Sequence, residues 1–128
     1  MKLRTLLIIN AVIAVVYGLS YQLTPIMILS VYGVSQGPSE IFLSRLFGAA
    51  LIGIGLLTWF ARNIPDHETQ RAIILSMLVY DIVGVIVTLY ATLSGVMNTV
   101  GWTGVVIFTF LALGYAYFQF MKPSTTPM

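Results

Sequence analysis

Asp81 is the residue whose type and place could do chemistry: a carboxylic acid alone in the run Ala72 to Leu93, which is otherwise almost wholly apolar. An acid at that depth in a bilayer costs about 2.5 to 3.5 kcal/mol even on a lenient insertion scale, so it must face protein or water. There it could relay a proton, bind a cation or pair with a positive side chain. Arg45, in the preceding apolar run, is the expected partner, because a guanidinium a few turns into that helix could reach the same level. Such a pair reads either as a structural lock between two helices or as the titrating group and counter-ion of a transporter. Alternatively, Arg45 snorkels to the headgroups and the acid hydrogen-bonds to Tyr80 or Tyr17. At helical spacing, Met77, Gly84 and Thr88 share the face of Asp81, with Ser76 and Tyr80 close by.

Further polar residues are sparse. Asn10 and Tyr17 lie on one face of the first run, with Gln22 beyond them, and read as glue between helices. Ala49 and Gly53 form a small-xxx-small pair, with Gly48, Ala50 and Gly55 beside them, and let another backbone approach. The neighbour is the third span of the same chain or a second copy; Gly101 and Gly104 carry the same choice. His67 is the only histidine, which leaves no axial pair for haem and no His-carboxylate cluster for zinc or di-iron chemistry. No metal and no cofactor are expected. The chain contains no cysteine, which excludes disulfides, thiol redox chemistry and thiolate metal sites. No lysine lies inside a span, no nucleophile has a visible base, and no glycine-rich phosphate loop is present.

The elements that must position these residues are four apolar stretches, each close to the roughly 20 residues that cross a hydrocarbon core. Charged residues make up 8% of the chain and the mean hydropathy is +0.97, against about 25% charged in an ordinary soluble domain. The expected fold is an all-α membrane protein, a four-transmembrane-helix bundle in a single domain over residues 1–128. Its spans are placed at about residues 3–23, 40–62, 70–93 and 99–121. Thr24-Pro25 reads as the cap and first residue of a short interfacial or re-entrant helix ending at Gly33, and Pro38, Ser39 and Glu40 open the second span. Ser94-Gly95 ends the third span, and Asn98 or Thr99 caps the fourth.

Lys2, Arg4, Arg62, Arg71 and Lys122 all fall on one side of this arrangement, and the two loops of the other side contain no Lys or Arg. Both termini are therefore expected in the cytoplasm. A cleaved signal peptide is weighed against this, since Lys2 and Arg4 precede an apolar run. That run is longer than a usual signal core and lacks an A-x-A pattern, so the first helix is expected to be retained. Trp59, Trp102, Tyr115, Tyr117, Phe118 and Phe120 sit where aromatic belts form. The positive residues are too few and scattered for a nucleic-acid surface.

Leu23-Thr24-Pro25, Tyr32-Gly33 and the stretch SRLFGAALIGIGLLTWFAR from Ser44 to Arg62, followed by an Arg-initiated third span, resemble small bacterial four-helix inner-membrane proteins of the DoxX-like and related unknown-function groups. That resemblance implies a multi-pass protein of the bacterial inner membrane and supplies no activity. Three functions compete. The first is a non-enzymatic protein whose partners are the bilayer and either a second copy or another membrane protein. The second is a proton, ion or small-solute transporter using Asp81 and Arg45. The third is a lipid or quinone site between helices, with Tyr17, Tyr80 and Arg45 as polar contacts.

Overall fold

The computed structural model describes residues 2–121, and over this range the chain is helical. The helices are α1 (Leu3–Leu23), α2 (Pro25–Val31), α3 (Pro38–Ala61), α4 (His67–Leu93) and α5 (Gly101–Ala116); α5 runs on into a wider π turn at Tyr117–Met121. Among the described residues, four segments are long and apolar enough to cross a membrane: α1, α3, α4 and the stretch Gly101–Phe120. Large apolar side chains such as Phe60, Leu113 and Ile86 point outward from them, a surface suited to lipid tails and not to water.

Local chemistry sets the helix ends. Pro25 and Pro38 stand at first-turn positions, where the missing N–H costs nothing. Helix α2 closes in a Schellman motif: Gly33, at φ 72°, donates to the Ser30 carbonyl and Val34 to the Leu29 carbonyl. Gly95, at φ 86°, follows the end of α4. Asp66 caps α4 by accepting from the Thr69 amide at 3.0 Å, so α4 begins a few residues earlier than residue 70, with His67 as its first residue. These bonds from Thr69 hold the Asp66 carboxyl below its ordinary range. The fourth span starts at Gly101, later than expected, after a turn in which the Val100 amide donates at 2.9 Å to the side-chain oxygen of Asn98. The Asn98 side chain donates to the Val31 carbonyl at 3.0 Å and its amide to the Tyr32 carbonyl at 2.9 Å, tying the α4–α5 loop to the end of α2.

The bundle consists of two tight antiparallel pairs. Helix α1 packs on α3 across a seam where Gly18 and Gly48 bring two backbones together. A Cβ built on Gly48 would lie 2.8 Å from the Gly18 carbonyl oxygen, and one on Gly55 would lie 3.2 Å from that of Ala11. Helix α4 packs on α5, with the Phe108 ring lying against Gly84. The partner of the α3 glycines is thus α1, and the Ala49–Gly53 face points outward; a Cβ on Gly53 would meet nothing within 4 Å. The reason is rotation about α3: Ser44, Gly48, Leu51, Gly55 and Thr58 form the buried stripe, and Ala49 and Gly53 lie to its side.

The two pairs meet at the end of the bundle that holds the start of α1, here the proximal end. Leu3, Leu6, Leu7, Ala61, Ile74, Leu78, Leu111 and Tyr115 make one core there. Arg4 hydrogen-bonds Asn63 in the α3–α4 loop, and Gly114 accommodates the Leu6 side chain. Tyr115 and Phe118, expected in an aromatic belt, belong to this core, because they continue the face of Leu111; Tyr117 and Phe120 do point outward. Trp59 also faces out, with the Arg62 guanidinium 3.7 Å above its ring. Lys122, counted in the charge asymmetry, lies outside the described residues.

Candidate functional site

Beyond this core, toward the distal end, the two pairs stand apart around a cavity of about 120 Å³. Asn10, Ala14 and Tyr17 of α1 form one wall and Phe47, Leu51 and Ile54 of α3 the next. Tyr80, Asp81 and Thr88 of α4, with Gly104, Ile107 and Phe108 of α5, complete it. Tyr32, which follows α2, reaches in from the distal end. The face that carries Met77, Asp81, Gly84 and Thr88 turns toward α5 and the bundle interior. Met77 joins the core, Gly84 carries Phe108, and Thr88 lines the void. The Thr88 hydroxyl is occupied by the Gly84 carbonyl at 2.7 Å. Ser76 takes no part; it is exposed and donates to the Ala72 carbonyl.

Asp81 has no exposed surface, and neither carboxyl oxygen accepts a hydrogen bond from the described residues. Arg45, expected beside it, is exposed, off the cavity wall, and makes no hydrogen bond to either oxygen. The cause lies in the α3 stripe. Ser44 faces inward, so Arg45, one residue or about 100° further round the helix, is turned away from α4. Among the described residues, no Lys or Arg lines the cavity. Burying a carboxyl group without a partner is costly, and three further polar atoms nearby are equally unsatisfied: the Asn10 amide nitrogen, the Tyr80 hydroxyl and the Tyr115 hydroxyl. Asn10, Tyr80 and Asp81 line the cavity, and Tyr115 belongs to the core.

The distal rim is built differently. The Tyr17 and Tyr32 hydroxyls are 3.2 Å apart, and Tyr32 reaches Thr103 Oγ1 at 3.3 Å. Thr103 in turn donates to the Val100 carbonyl at 2.7 Å. Three elements distant in sequence are thereby joined by one chain of hydroxyls. Sequence reasoning selected Asp81, Tyr80, Tyr17, Asn10 and Thr88, all of which line the cavity, but missed Tyr32, Phe47 and Phe108. Tyr32 carried a detectable signal, since it stands between the apolar segment and the Gly33 that turns the chain.

Fold and site together define a class: over the described residues, an all-helical protein with four helices able to cross a membrane and an acid without a partner in a cavity between them. The chain belongs to the family described as Domain of unknown function (DUF8292), whose model matches residues 1–120. No curated protein and no solved structure is matched by the chain.

Proposed function

We propose that this is a non-enzymatic, multi-pass protein of a bacterial plasma membrane that binds a small solute inside the bundle at Asp81, the first requirement of a carrier or channel. One observation carries the reading: a fully buried carboxyl group with both oxygens unpartnered borders a cavity of about 120 Å³. Pockets lined mainly by apolar groups with a few convergent polar atoms are the usual form of small-molecule sites. The void also exceeds the roughly 10 to 15 Å³ that one water needs. The reading takes residues 1–128 as a single integral-membrane domain. Both termini face the cytoplasm, because Arg4, Arg62 and Arg71 gather at the proximal end while the distal loops hold no Lys or Arg. Helix α2 then rests at the outer interface.

The absence of cysteine from the sequence makes a direct test available. Thr88→Cys, on the cavity wall, and Val87→Cys, on the exposed face, are each introduced and reacted in vesicles with the small neutral reagent methyl methanethiosulfonate. Thr88→Cys is expected to react at least tenfold faster. Equal or slower reaction at position 88 would mean that the cavity is closed to solutes, and the proposal fails.

A second reading, self-association, is favoured by the outward Ala49–Gly53 face, where Gly53 leaves open space. It requires a concentration-dependent dimer in bilayers that Gly53→Leu removes.

A further inference from the structure

We infer that the solute held by Asp81 is a compact methylated ammonium ion of about five non-hydrogen atoms. The inference rests on the small-solute reading and narrows it to one chemical class.

Charge comes first. Among the described residues Asp81 is the one acidic or basic residue on the cavity wall and its oxygens are unpartnered, and a buried carboxylate is stable only beside a positive charge or full hydrogen bonding. The protein supplies neither, so the compensating charge fits a cationic ligand. Size comes next. A cavity of about 150 Å³ holds a benzene-sized guest of six heavy atoms, and this one, at about 120 Å³, is about one atom smaller by proportion.

Wall chemistry then chooses among cations. A bare metal ion of the calcium or magnesium type needs six or more oxygen ligands at short range, whereas six of the lining side chains here are aromatic rings. A guanidinium carries five N–H donors in a fixed plane that must all be met, and Asp81 is the sole carboxylate among the described residues of a wall that is otherwise mostly apolar. A methylated ammonium ion has few or no N–H groups to satisfy and is attracted by aromatic faces, the usual recognition of quaternary ammonium groups. Phe108, held against Gly84, forms an edge contact with Tyr80 at 5.7 Å between ring centres, so two rings are fixed on the α4 and α5 sides of the cavity near Asp81.

The test uses the full chain carrying Thr88→Cys in vesicles, with tetramethylammonium as the cation and tert-butanol as a neutral molecule with the same number of heavy atoms. Tetramethylammonium should slow methanethiosulfonate labelling of the cysteine at least tenfold, with sodium at equal ionic strength as reference. Tert-butanol should change the rate less than twofold, and adding Asp81→Asn should abolish the protection. Equal protection by both molecules, or protection that survives Asp81→Asn, overturns the cation assignment and leaves the small-solute reading standing. Fast labelling that neither molecule slows also overturns it. Absence of labelling at position 88 removes both readings together. The comparison of the two probes needs no Asp81 variant, so it decides the matter even if Asp81→Asn does not fold.

Discussion

Around Leu6, Leu7 and Ile74 the helices close on one another, whereas a few turns further along, around Leu51 and Ile107, they stand apart far enough to leave about 120 Å³ between them. The difference arises from where the close contacts lie. In the distal half each pair is zipped within itself, α1 to α3 through Gly18 and Gly48, and α4 to α5 through Gly84 and Gly101. Tightness within the pairs leaves the space between them to a few aromatic side chains, which cannot fill it. In the proximal half Leu6 crosses from α1 to Gly114 of α5, and the pairs mesh. Where glycines sit therefore decides which interface is close and which stays open, even though every surface involved is apolar.

The contrast can be broken most severely by the same substitution in each half. Leu7→Ala, in the filled half, is expected to cost about 2 to 5 kcal/mol, the usual range for a buried leucine. Leu51→Ala, on the cavity wall, should cost about half as much, since a side chain facing a void already lacks contacts on one side. Unfolding in mixed micelles measures both, and equal costs would show that the halves do not differ in packing. Gly48→Ala should destabilise by about 1 to 3 kcal/mol through overpacking of the α1–α3 seam, while Gly53→Ala, on the open face, should be neutral in the same assay.

Asp81→Leu sharpens the comparison in the opposite direction. Removing an unpartnered buried acid beside a void should stabilise the fold by about 1 to 3 kcal/mol while ending tetramethylammonium protection of Thr88→Cys. A loss of stability would mean that Asp81 has a partner in the folded chain. Tyr17→Phe should cost about 0.5 kcal/mol, because its bond is long and Tyr32 keeps Thr103. The stability of the same variant gives the check, and a cost above about 2 kcal/mol would make the hydroxyl chain a main support of the distal half. The smallest effect lies at the α4 cap. The Asp66 carboxyl titrates below its ordinary value because Thr69 bonds it. Its stabilisation is therefore present above the unfolded value of about 3.9 and lost as pH falls through the lower folded value. Amide exchange at Thr69 should rise in that acid window and show no such step in Asp66→Asn.

The sequence made the helices legible because crossing lipid demands unbroken apolar runs, and because Pro25, Gly33, Pro38 and Gly95 mark ends through constraints local to each residue. Asp81 was legible for a related reason: in such a run an acid is conspicuous. The facing of each helix was not. In a soluble protein, polarity separates the outer face from the inner one, but here lipid and core are both apolar, so Ser44 and Arg45 could not be told apart as inward and outward. Gly18 is one small residue among several in an apolar run, although it forms half of the close backbone approach of α1 and α3. The cavity had no sequence signature, since an unfilled space depends on how side chains from four helices fail to meet.

The hydroxyl chain from Tyr17 through Tyr32 to Thr103 spans the distal side, and the proximal side ends in a sealed floor of leucines and Tyr115. A guest that leaves by parting three weak links disturbs little, whereas one leaving through the floor must dislodge the core that keeps the two halves together. On the proposed solute-binding reading, the fold would be a cup with one lip, loaded and emptied from the same leaflet. Passage across the bilayer would require a second copy or partner to pry up the base.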